Sequence, residues 1–114
     1  MSESTVITTL EDVIAARKAN PPAQRSYVVS LLEGGVSRIG AKIVEEAAEV
    51  VEAAGEPGDE GRTHLVKEAA DLFFHTLVLL GHRDVSWSLV EAELARRVGI
   101  SGFTEKECRA LRGE

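Results

Sequence analysis

Cysteine occurs once in the 114 residues, at Cys108, so no disulfide can form within the chain, which suits a reducing compartment. Aromatic residues make up only 4%, too few for a platform on which nucleic-acid bases could stack. Basic residues number 13 against 19 acidic ones, for a net charge of −6. That balance excludes the cationic footprint a nucleic-acid surface needs. Long apolar runs are missing as well: LFFHTLVLL, from Leu72 to Leu80, is too short to span a bilayer and carries a histidine. The opening MSESTVITTLEDV has no basic region followed by an apolar run, and no secretory signal is expected. Strand-like alternation does not occur. These absences predict a soluble, cytoplasmic protein with no membrane or nucleic-acid partner. The acid surplus also sets a problem for any polyphosphate substrate, which such a surface repels unless a cation lies between them.

Helical spacing is what the chain has, from end to end, and its length suits one domain over 1–114. Residues 1–8 and about 108–114 are expected as flexible ends. Thr9 with Asp12 is a candidate cap for a first helix bearing Leu10, Val13 and Ile14, which Asn20-Pro21-Pro22 ends. A short helix is predicted over Ser26 to Glu33, broken by Gly34-Gly35. Longer helices follow over about Ser37 to Ala54 and Arg62 to Leu80, separated by a loop from Gly55 to Gly61. A last regular helix runs from about Ser86 to Val98, with Gly99 as its stop. The fold class is therefore all-α, a bundle of four to five helices built on two long central ones.

Those two central helices carry the acids that matter. With a turn of about 100° per residue, Ile39, Ile43, Ala47, Val50 and Ala54 form the predicted buried stripe of the first. Glu46 lands about 20° from Ile39, on the edge of that stripe, with Glu49 three residues on as its neighbour. Glu45 and Glu52 face water. The next central helix is apolar nearly all round, through Leu65, Leu72, Phe73, Phe74, Leu77, Val78, Leu79 and Leu80, which predicts burial. Yet Glu68, Asp71 and His75 share one arc of about 60° on it. Buried charge is unfavourable unless it is paired or binds metal. Lys42 or Lys67 could pair with one acid, but not with all of them. Facing helices that each present an i, i+3 acid pair would bring four carboxylates to one point, a donor set that suits Mg²⁺ or Mn²⁺ better than zinc. A glutamate-rich solvated helix accounts for the first pair alone, and both accounts stand on spacing. His75 is either a further ligand or a hydrogen-bonded core histidine.

EEAAE at Glu45–Glu49 and EAAD at Glu68–Asp71 resemble the EExxE…ExxD signature of the all-α, MazG-like nucleotide pyrophosphohydrolases. The surrounding stretches SYVVSLLEGGVSRIGAKIVEEAAEVVEAA, KEAADLFFHTLVLL and VEAELARRVGISGFTEKECR are more specific. They resemble the phosphoribosyl-ATP pyrophosphohydrolases of histidine biosynthesis, in order, from Leu10 to Arg109. The resemblance implies a dimeric all-α hydrolase that converts phosphoribosyl-ATP to phosphoribosyl-AMP and pyrophosphate with Mg²⁺, Mn²⁺ being an alternative ion. It implies Glu46, Glu49, Glu68 and Asp71 as metal ligands. Glu45 joins Glu46 and Glu49 as a catalytic group, supporting the site or orienting the attacking water. Lys42, Arg97, Ser101 and Lys106 are the implied contacts to substrate phosphates.

The chain departs from the family pattern in two places. Val28 follows Tyr27 where threonine is expected, and Phe73-Phe74-His75 replaces Leu-Tyr-His, removing a hydroxyl at position 74. No sequence for the next pathway enzyme is visible, so the stand-alone form is expected. Two other readings accommodate the same acids: a housecleaning enzyme acting on free nucleoside triphosphates, and a non-catalytic helical dimerisation module. A fourth helix apolar nearly all round also needs more cover than one small chain offers, which independently predicts a homodimer.

Overall fold

Four helices follow one another in the computed structural model, which describes residues 5–24 and 26–99: α1 (Val6–Ala19), α2 (Tyr27–Ala54), α3 (Gly58–His82) and α4 (Trp87–Arg97). No strand occurs among the described residues. The all-α expectation holds.

Helix α1 begins one turn earlier than Thr9-Asp12 suggests and takes in residues 6–8. Thr5 is the extended cap, its hydroxyl accepting from the Thr8 amide at 3.1 Å. Thr9 instead donates its hydroxyl to the Thr5 carbonyl, as a threonine inside a helix does. The prolines after Asn20 end α1 as expected. Ser26 caps α2, and Gly35 (φ 67°, ψ −159°) interrupts it. The expected break is therefore real but one residue wide, and helix resumes at once. The predicted loop from Gly55 to Gly61 shrinks to its first three residues. Asp59 and Glu60, loop-like by composition, form the first turn of α3, where their charge favours the positive end of the helix dipole. Ser86 caps α4, and Gly99 (φ 75°) lies just past its end.

The short connection makes α2 and α3 an antiparallel hairpin, along most of which the two helices pack. Helix α1 lies across them and closes the core, in which Ile14, Leu31, Ile39 and Val78 are fully buried. It also ties down two helix ends. Lys18 Nζ donates to the Gly81 and His82 carbonyls (3.2 and 2.9 Å) and to Asp84 (2.8 Å), satisfying acceptors at the end of α3. Glu11 accepts from the Trp87 amide at 2.6 Å at the start of α4.

Two glycines are required by this geometry. Gly35 occupies a backbone region closed to other residues, and a Cβ at Gly81 would come within 2.6 Å of Ile14 Cγ2 in the core. Gly35→Ala and Gly81→Ala are each expected to destabilise the fold by about 1–3 kcal/mol, despite the better helix propensity of alanine. Denaturant titration measures both, and an unchanged or raised midpoint would contradict the geometry.

Candidate metal centre

The buried positions on α2 in the site region are Ile39, Glu46 and Ala53, seven residues apart. On α3 they include Gly61, Glu68 and His75, again seven apart. Two helices in narrow contact bury a heptad seam rather than a broad stripe, and that corrects the expected pattern. Ala47 and Ala54 are exposed, while Glu46, expected on the edge, lies in the seam itself and is only 6% exposed. The apolar surround of α3 is likewise only partly buried within one chain. Leu77 and Val78 are covered, but Phe73 is 51% exposed.

Glu46 of α2 meets Glu68 and Asp71 of α3. One ligand atom from each of the three lies within 4.8 Å of the other two. Glu68 is 5% exposed and Asp71 half-buried. Glu46 Oε2 and Glu68 Oε1 are buried with no hydrogen-bond partner. No lysine or arginine pairs with any of the three among the described residues. Burial above all, then the neighbouring Glu68, Asp71 and Glu49 carboxylates, pushes Glu46 up to about 7. Glu49 is half-buried and also raised, chiefly by Glu68, while Glu68 itself is lowered, with Glu49 the first cause. Glu46 is raised because an acid buried among acids without a cation is most easily carried protonated. Glu49 adjoins the centre but is not one of the three clustered carboxylates.

Orphaned buried oxygens and an all-carboxylate donor set are what a divalent cation satisfies. The centre is thus an acidic group compatible with such an ion. His75 does not belong to it. Its Nδ1 sits 2.8 Å from the Asp71 carbonyl, which can only accept, so Nδ1 carries the proton and Nε2 accepts from the Tyr27 hydroxyl at 2.8 Å. Both nitrogens are engaged, making it the hydrogen-bonded core histidine. Phe74 lies against Tyr27 and His75, and the hydroxyl that meets His75 is that of Tyr27.

The remaining candidates lie outside the cluster. Lys42 Nζ donates to Glu45 at 3.1 Å on the exposed side of α2. Arg97 donates to Glu93 at 3.0 Å within α4 and pairs with no acid of the centre. Ser101 and Lys106 lie outside the described residues. A cavity of about 610 Å³ between α1 and the α3–α4 turn is lined by residues such as Glu11, Lys18 and Asp84 and contains no candidate site residue. A contact the sequence reading missed is that of His64, whose Nε2 lies 3.0 Å from Glu68 Oε2 and whose Nδ1 faces Glu56. The i, i+4 spacing of His64 and Glu68 was a usable signal.

Residues 7–98 match the family model described as phosphoribosyl-ATP pyrophosphohydrolase. A protein of Geotalea daltonii named phosphoribosyl-ATP pyrophosphatase is 50% identical over 97 residues, which cover 85% of this chain and 88% of that one. Proteins of the same name from Rhodopirellula baltica and Nitrosospira multiformis are each 46% identical, covering 88% and 96% of this chain and 82% and 87% of their own lengths.

The protonated Glu46 makes a prediction for the metal-free protein. A carboxyl raised from 4.5 to about 7 on folding contributes stability that is complete below its unfolded value and is lost as pH rises through 7. His64, raised chiefly by Glu56, acts in the same direction, while the lowered Glu68 changes its contribution only at more acid pH. In chelator, stability is expected to fall by about 1–3 kcal/mol between pH 5 and pH 8, and millimolar Mg²⁺ is expected to restore it at pH 8. Thermal unfolding across that range is the measurement. A flat profile in chelator would show that Glu46 is already ionised.

Proposed function

The chain belongs to the phosphoribosyl-ATP pyrophosphohydrolase family, and from that membership we propose that it adds water across the α–β phosphoanhydride of phosphoribosyl-ATP. The products are phosphoribosyl-AMP and pyrophosphate, in the second step of histidine biosynthesis. The observation that carries the reading is the convergence of Glu46, Glu68 and Asp71 in a buried seam, with two carboxylate oxygens left unpartnered.

In this reading Glu46, Glu68 and Asp71, with the adjoining Glu49, hold Mg²⁺ or, in its place, Mn²⁺. The bound cation supplies positive charge for phosphoryl oxygens and acidifies water. Glu46 releases its proton as the site fills, so the acids that repel phosphate become the anchor of an attractive site. Lys42, one turn before Glu46, exchanges its exposed pairing with Glu45 for a non-bridging phosphate oxygen. Glu45, freed from Lys42, orients the attacking water. Arg97, Ser101 and Lys106 bind and orient the substrate phosphates, which lowers the entropy demand of the reaction.

Glu46→Gln and Asp71→Asn are each expected to reduce pyrophosphate release by about 100-fold or more, with the helical circular-dichroism spectrum retained. Turnover at the normal rate in either variant would remove that residue from the ligand set. Phosphoribosyl-ATP, ATP and dCTP should be compared with and without Mg²⁺. Preference for the free triphosphates would favour a housecleaning role, and no release from any of them would favour a non-catalytic module.

A homodimer completes the proposal. Among the described residues, Val36, Val44 and Val51 form a strip along α2, and Val66 and Phe73 form another on α3, all more than half exposed. A second copy covering these strips would supply the burial that α3 lacks in one chain. Sedimentation at micromolar concentration should give a dimer, and Val44→Glu should shift it toward monomer. A wild-type monomer would contradict the pairing.

A further inference from the structure

Among the described residues, a side-chain donor that reaches the acid cluster from outside it is His64, on the first half of α3. Its Nε2 donates to Glu68 Oε2 at 3.0 Å, one helical turn along. Its other nitrogen, Nδ1, lies 3.0 and 3.1 Å from the two oxygens of Glu56, a residue of the α2–α3 connection. Both carboxylates can only accept, so the ring donates from both nitrogens, and its rotation about the side-chain axis is fixed. Glu68 is almost wholly buried, with Oε2 held by His64 and Oε1 left unpartnered.

We propose that Glu56 and His64 form a positioning relay that orients Glu68 for a divalent cation: Glu56 holds the ring, the ring holds Oε2, and Oε1 stays turned to the cluster with Glu46 and Asp71. The proposal rests on the metal reading given above. The physical reason is preorganisation. A glutamate side chain has three rotatable bonds, and a ligand that must be ordered when the ion arrives binds it more weakly than one already held. Outer-shell partners of metal-binding carboxylates change affinity by about 10–100-fold. Neither His64 nor Glu56 needs to touch the ion or the substrate. The relay also links the site to the connection between the hairpin helices, so the same contact that fixes Glu68 holds Glu56 against α3.

The test is Mn²⁺ binding to the full-length protein by electron paramagnetic resonance at one fixed pH. His64→Ala is expected to weaken binding by about 10–100-fold and to raise the Mn²⁺ concentration for half-maximal pyrophosphate release by a similar factor. His64→Gln is expected to recover most of the affinity, because its amide can donate to Glu68 from the same position. Glu56→Ala is expected to weaken binding alone but to add nothing in the His64→Ala background, since it acts through the ring. Wild-type affinity in His64→Ala, or additive losses in the double variant, would overturn the relay. Absence of Mn²⁺ binding by the wild-type protein would overturn the metal reading itself, a separate outcome. Should His64→Ala fail to fold, His64→Gln and Glu56→Ala decide by the same readout.

Discussion

Three carboxylates meet where a helical hairpin would otherwise bury aliphatic side chains, and much of the molecule is arranged around that fact. Glu46 and Glu68 occupy positions of the α2–α3 seam that repeat every seven residues, flanked by Ile39 and Ala53 on one helix and Gly61 and His75 on the other. Acids at such positions lower stability unless a proton or a cation compensates them. Glu46, pushed up to about 7, carries a proton below that pH in the metal-free state. In the proposed reading a divalent cation would take over that compensation, and its binding would compete with protons.

The surroundings hold this arrangement in place. The hairpin sets the register of Glu46 against Glu68, and α1 closes the far end through Ile14, with Lys18 satisfying the last carbonyls of α3. Tyr27 and His75 form a hydrogen-bonded pair that ends on the backbone carbonyl of Asp71, fixing the helix turn that carries the third acid. The hydrophobic core sits beside this pair, so the apolar packing that stabilises one end of the hairpin also positions the polar groups near its middle. The single chain remains short of apolar burial. Ten large hydrophobic residues are exposed among those described, against seven buried hydrophobic residues.

Much of the fold was legible because its signals are local. Proline after Asn20, serine before Tyr27 and Trp87, and glycine at positions 35, 55 and 99 act through the backbone of their own neighbours, and the structure has a helix end or a break at each. The misreadings were also local. Asp59 and Glu60 look like loop by composition but are favourable in the first turn of a helix, and Thr5 took the capping role assigned to Thr9. In the site, the i, i+3 acid pairs were readable on each helix, whereas the burial of Glu46 was underestimated. Two helices in contact bury a narrow seam rather than a broad amphipathic stripe. Glu49 was expected inside the cluster and lies beside it.

Sequence alone determined that the protein is helical, that each central helix brings its acids to one side, and that the chain resembles phosphoribosyl-ATP pyrophosphohydrolases. Spacing along one helix follows from the covalent chain and a turn of about 100° per residue, so those relations need no other part of the molecule. The tertiary structure alone decided which carboxylates are buried and which of their oxygens lack a partner. It also decided that Lys42 pairs with Glu45, that His75 is occupied by Tyr27 and Asp71, and that Glu56 reaches His64. These depend on how far each helix is rotated about its axis and on its register against its neighbour. Packing between helices sets both, and no window of sequence contains it.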